Sequence, residues 1–152
     1  MEVTIHILAL LVLGLMCGSE LNVGAIGHPL LKRQPDQVHI PLRVSFAELL
    51  GRVMPFWMTG STLLSLLLLL PFEHLSKVPR RFVAAAFAIQ VIAVVFSLVG
   101  PVPINNRIRK WTLASLPDNW KATEKRWDVY HNVRTGGLII AFGLLALSLR
   151  LN

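Results

Sequence analysis

The sequence is short of charge, nearly free of cysteine, and lacks the fingerprints of common soluble enzymes. Only 15% of its 152 residues are charged, against about 25% in an ordinary soluble domain. The deficit is concentrated in four long apolar runs, and mean hydropathy is +0.60. A separate soluble domain is therefore not expected. The single cysteine, Cys17, excludes an internal disulfide and a multi-cysteine metal site. No Lys or Arg precedes the first apolar run, so a cleaved signal peptide is not expected. Met16 stands where a lipoprotein attachment site would need a small residue, which argues against lipidation of Cys17. HExxH, GxSxG, P-loop and Rossmann fingerprints are all missing. The net charge is +7, yet no zinc finger, helix-turn-helix or aromatic-basic RNA motif accompanies it. The charges lie between the apolar runs, where the positive-inside rule and anionic headgroups account for them. A nucleic-acid partner is not expected.

What is there reads as an all-α protein, a bundle of four transmembrane helices forming one integral membrane domain over residues 1–152. Within hydrocarbon each span must satisfy its own backbone hydrogen bonds, which makes it a helix, and about 20 residues suffice for each. The spans are expected at about 3–28, 46–71, 81–99 and 128–150. Loop one, Leu30 to Ser45, carries Lys32, Arg33 and Arg43, with His39 also in it. Loop two carries Lys77, Arg80 and Arg81. Loop three, Gly100 to Trp127, carries Arg107, Arg109, Lys110, Lys121, Lys125 and Arg126. This bias places loops one and three in the cytoplasm and the termini outside. Pro101 and Pro103 should stop the third helix. Pro117-Asp118 resembles a helix start, so a short interfacial helix is expected over about Asp118 to Lys125. Trp111, Trp120, Trp127 and Tyr130 fit a headgroup aromatic belt.

Ionisable residues inside such spans are costly and usually face the bundle interior or a wet cavity. Glu20 lies about 17 residues into the first span. It could be a general base, a metal ligand or a substrate anchor, or the partner of Arg134 or Arg52 in a structural ion pair. His28, eight residues on, lies on an adjacent face with an axial gap of about 12 Å. Trp127, His131 and Arg134 are spaced i, i+4, i+7 and share one face of the last helix. His131 can exchange protons near neutral pH, and Arg134 can hold an anion. Asn105 and Asn106 could cap the third helix or hydrogen-bond an oxyanion. Met54 and Met58 suit packing better than copper(I) binding. Gly14 and Gly18 form a GxxxG pair that could serve packing within the chain or between copies of a homo-oligomer. His6 and His74 lie near the opposite end from this cluster.

The stretch Pro103-Ile104-Asn105-Asn106-Arg107, then Trp111, Asp118-Asn119-Trp120, Arg126-Trp127, His131 and Arg134-Thr135 resembles the DUF1772 family of small membrane proteins, which includes the anthrone oxygenases. That family has four predicted membrane helices, a proline-asparagine motif after the third, and W-x3-H-x2-R-T opening the fourth. The resemblance implies an oxygenase acting with dioxygen on a small lipophilic aromatic substrate, such as an anthrone, without an organic cofactor. It implies Asn105, Trp127, His131 and Arg134 as site residues. Glu20 joins them as a base, and Asn106, Trp111 and His28 as further substrate contacts. Where the substrate is not itself activated, a redox metal is the alternative. Copper or iron would then be held by Glu20, His28 and His131. A non-enzymatic membrane subunit is the other reading.

Overall fold

A computed structural model describes residues 2–70 and 77–151. Among these, all regular structure is helical. Helix α1 spans Glu2–Asn22 and runs through a five-residue π-helical turn, Val23–Gly27, into the short α2, His28–Leu31. Asn22, Gly27 and His28 all keep right-handed helical dihedrals, so the path is one continuous rod with a widened turn. After a turn at Lys32 to Pro35 come α3 (Asp36–Leu67), α4 (Lys77–Val99), α5 (Pro101–Ile108) and α6 (Trp120–Arg150). Among the described residues, three stretches are long and apolar enough to cross a membrane: Val3–Leu31, Pro79–Ile108 and Trp120–Arg150.

Four long helices close a ring in the order α1, α3, α4, α6, with α5 packed against α3, α4 and α6. The outward faces are apolar, as Phe56 at 81% exposure and Val99 at 73% illustrate. Inside, small residues let the rods approach closely. Ala9, Ala86, Ala93 and Ala141 are buried with Leu13, Met16 and Leu145 in one core half. The other half is aromatic, with Trp111, Trp120 and Trp127 packed around Ile40 and Ile104. Gly14 sits under the ring of Phe142 on α6, where an added Cβ would be 3.0 Å from Cε2. Gly18 faces open space. The Gly14 half of the GxxxG pair therefore packs within the chain. His6 joins α1 to the end of α6, its Nε2 lying 2.9 Å from both the Leu145 carbonyl and the Ser148 hydroxyl.

Several expected boundaries move. Loop one, expected over Leu30 to Ser45, shrinks to one turn, because α3 begins at Asp36. Asp36 stands in the first turn, where a carboxylate favours the helix dipole. The segment from Asp36 to Ser45 reads as a loop because it is polar. Its polar residues His39 and Arg43 are instead buried against α6. The prolines after the third long helix do not open a loop. The rod breaks at Gly100 (φ −107°, ψ −90°), and Pro101 then starts α5 at a position whose missing N–H costs nothing. Loop three shortens to the segment from Arg109 to Asn119. The expected interfacial helix over Asp118 to Lys125 is the opening of α6, continuous with the fourth apolar run. The end of the second helix expected at residue 71 gives way to Leu67, and His74 in loop two lies outside the described residues.

The Gly14 contact yields a paired expectation. Gly14→Leu forces a side chain against Phe142 and should cost about 1–3 kcal/mol, seen as a lower thermal midpoint in detergent. Gly18→Leu should leave the midpoint unchanged. Equal losses would show that both glycines are sealed by a partner surface.

Candidate functional site

The polar groups of α1 and α6 meet where the two core halves join. Glu20 occupies the last turn of α1, one turn before the π-helical segment, and is 1% exposed. Its Oε2 accepts a hydrogen bond from Arg134 Nη2 at 2.5 Å. The same oxygen lies 3.2 Å from His131 Nδ1. The guanidinium also donates from Nη1 to Ser97 Oγ on α4 (3.2 Å). Thr135 bonds the His131 carbonyl at 2.9 Å and stands 3.4 Å from Glu20 Oε2.

The protonation of His131 follows from its partners. Its Nε2 is 2.9 Å from the backbone carbonyl of Glu20, which can only accept, so Nε2 carries a hydrogen. In the neutral ring the Nδ1 lone pair can accept from Arg134 Nη2, 3.5 Å away, and Glu20 Oε2 lies beside both groups. The close approach depends on Gly24 in the π-helical turn. A Cβ there would meet His131 Cδ2 and Nε2 at 3.1 Å. Single π turns of this kind recur at functional sites.

Beside this cluster lies a cavity of about 280 Å³ between α3 and the α4–α5 break. Its polar wall is Glu20, Ser97, Asn105, Trp127, His131 and Arg134. Its apolar wall includes Met54, Met58, Val94, Leu98 and Val102. Three atoms of the polar wall are buried without a hydrogen-bond partner: Asn105 Oδ1, Trp127 Nε1 and Arg134 Nε. Buried polar atoms are rarely left unpaired. One acceptor and two donors on residues of the cavity wall therefore lack a partner among the described residues. Arg109 reaches the mouth over Gly51, where a Cβ would collide with its Nη2.

Trp127 is held from several sides. His28 stacks on it at 4.4 Å, His131 at 4.7 Å, and the Arg43 guanidinium lies 4.7 Å from its ring centre. These neighbours are anchored in turn on α6. His28 Nδ1 is 3.0 Å from Asp128 Oδ1, and Lys32 also contacts Asp128. His39 Nε2 is 2.8 Å from Glu124 Oε1, with Arg43 Nε 3.5 Å from the same oxygen.

Of the expected site residues, Glu20, Asn105, Trp127, His131 and Arg134 converge on the cavity. Three do not. His28 lies behind Trp127 and is tied to Asp128. Trp111 packs edge-on against Trp120 (6.3 Å) in the aromatic core half. Asn106 is exposed, because only one of two adjacent helical residues can face inward. The metal-ligand set Glu20, His28 and His131 is not assembled. The two imidazoles are 6.5 Å apart at their centres, and no cluster of three ligand-type residues occurs among the described residues. Ser97, Arg109, Arg43, Asp128 and Glu124 were not foreseen. The two carboxylates carried a usable signal, since Glu124, Asp128 and His131 repeat at i, i+4, i+7 on one face of α6.

The anthrone oxygenase family model matches residues 45–144. The chain belongs to the anthrone oxygenase family. No curated protein and no solved structure matches it significantly. The matched region runs from within α3 to within α6 and contains Asn105, Trp127, His131 and Arg134. Glu20 and His28 fall outside it. In this family member, then, the partner that closes the charge cluster is supplied by the helix the family match does not cover.

Glu20→Gln leaves the Arg134 charge buried and uncompensated. Breaking a buried pair in this way costs about 3–5 kcal/mol. Thermal unfolding in detergent should show the loss, and Glu20→Gln combined with Arg134→Gln should recover most of it. A double variant no better than the single would mean that the pair is not energetically coupled.

Proposed function

We propose that the chain is a membrane-embedded oxygenase of a lipophilic, activated aromatic substrate of the anthrone type. The observation that carries this is an apolar cavity whose end wall joins a carboxylate, an imidazole and a guanidinium, with three buried hydrogen-bonding atoms left unpaired on its wall residues. Family membership supports an oxygenase-like activity.

In this reading the whole chain is one membrane domain, with α3 as a fourth span beside the three more apolar ones. At 32 residues α3 is longer than a bilayer crossing needs. The turn at Lys32 to Pro35 and the segment from Arg109 to Asn119 face the cytoplasm, and the termini face outside. The substrate reaches the cavity from the bilayer between α3 and the α4–α5 break. The apolar rim there includes Leu98, 61% exposed, and Val102, 37% exposed.

The chemistry follows from the wall. An anthrone methylene flanked by aromatic rings and conjugated to a carbonyl is an acidic C–H. The Glu20–His131 pair takes its proton and holds it between Oε2 and Nδ1. The negative charge moves to the substrate oxygen, where the Arg134 and Trp127 N–H groups stabilise it. Such preorganised donors are usually the largest catalytic term. Asn105 Oδ1 accepts from a phenolic hydroxyl and fixes the orientation. The electron-rich carbanion then reacts with dioxygen to give a hydroperoxide, which loses water to leave a new carbonyl. The methylene gives up two hydrogens and gains one oxygen, and the second oxygen leaves as water. The substrate supplies all the electrons.

A structural role for the Glu20–Arg134 pair in a non-enzymatic subunit is the second reading, favoured by the 2.5 Å contact and deep burial. Oxygen uptake by purified protein with an anthrone separates the two. One dioxygen consumed per substrate is expected. His131→Ala should lower kcat by about 100-fold or more, and Trp127→Phe should also lower kcat, by removing one donor to the developing oxyanion. An unaffected His131→Ala enzyme would overturn the oxygenase mechanism.

A further inference from the structure

A second cavity, of about 370 Å³, lies beside Trp120, where the turn after α2 meets the first turns of α6. Unlike the first it is polar. Lys32, Asp36, His39, Trp120, Lys121, Glu124 and Lys125 line it. Lys121 and Lys125 are one helical turn apart, so both ammonium groups serve the same opening. Neither forms an ion pair among the described residues, and Lys121 lies 5.3 Å from the Trp120 ring centre.

The charge balance defines what fits. Glu124 is engaged by His39 and Arg43, and Asp128 by His28 and Lys32. Among the fixed charges of the lining, Lys32, Lys121 and Lys125 face Asp36 and Glu124. Three cations against two carboxylates leave one positive charge, carried by the free lysines. A monoanion cancels it, whereas a dianion overshoots. The cavity also stands at the end of the bundle, beside a tryptophan and next in sequence to exposed apolar residues. Leu30 is 57% exposed and Val38 44%. Water-soluble anions need no such apolar border. Acyl chains do.

We infer that this cavity holds the phosphodiester of an anionic phospholipid, with Lys121 and Lys125 on the phosphate and the chains along the exposed faces of α2 and α3. Basic pockets between membrane helices take lipid headgroups in this way. The inference needs the membrane setting but not the oxygenase chemistry.

The test is native mass spectrometry of the full chain released from detergent, with phosphatidylglycerol or phosphatidylcholine of matched chains added. One phosphatidylglycerol should be retained, in preference to the zwitterion. Each lysine near a headgroup is worth about a factor of five, so Lys121→Gln combined with Lys125→Gln should weaken retention about 30-fold. Circular dichroism confirms that this surface variant stays helical. If it does not, Lys121→Arg combined with Lys125→Arg, which keeps the charge, should retain the lipid like wild type. Equal retention by wild type and the Gln variant would overturn the inference, as would equal retention of the two lipids. Displacement by millimolar inorganic phosphate would make the ligand a free phosphate and overturn the lipid assignment. Loss of lipid retention with unchanged oxygen uptake leaves the oxygenase reading standing.

Discussion

The buried contact between Glu20 and Arg134 is the constraint on which the centre of this molecule depends. A carboxylate and a guanidinium in a low-dielectric interior are tolerable only together, and only with their remaining hydrogen bonds satisfied. That requirement pins α1 to α6 at one depth, and Ser97 extends the link to α4. His131 is pulled into the same cluster, and the π-helical turn with Gly24 gives it room. Three of the four long helices are thereby set in register by one polar knot. The cavity is the space left where α3 does not take part in that knot.

The same logic is repeated nearer the end of the bundle. Glu124 and Asp128 draw His39, Arg43, His28 and Lys32 onto α6. These pairs do not line the cavity. Two of their members, His28 and Arg43, flank Trp127, which does. A residue on the cavity wall is thus positioned by groups anchored on its own helix, as expected where a functional side chain must hold one orientation. The unpaired indole N–H thereby has a defined direction.

Much of this was legible in the sequence, for a simple reason. Burial in hydrocarbon leaves the backbone no alternative to helix, so apolar runs report helices directly. The i, i+4, i+7 spacing of Trp127, His131 and Arg134 reports a shared face, because helical geometry is rigid over two turns. The ionisable Glu20 in an apolar run reports an inward-facing site, because the opposite placement is too costly. Boundaries were read less well. Polarity marks a loop only when polar residues meet water, and His39 and Arg43 meet Glu124 instead. Prolines mark a helix end, but at Pro101 the same residue also marks a helix start.

Read alone, the residues specify a helical chain built for an apolar surrounding, with an acid on its first helix and a Trp-His-Arg face on its last. Those are properties of composition and of short-range spacing. Which of them meet was decided only by the tertiary structure. Glu20 and Arg134 are 114 positions apart, and nothing local fixes the depth at which two rods align. Likewise His28, eight residues from Glu20, was turned away from the cavity by Asp128, and the adjacent Asn105 and Asn106 were divided between cavity and surface. Pairing across helices depends on register and rotation, and these are settled by packing all the rods at once.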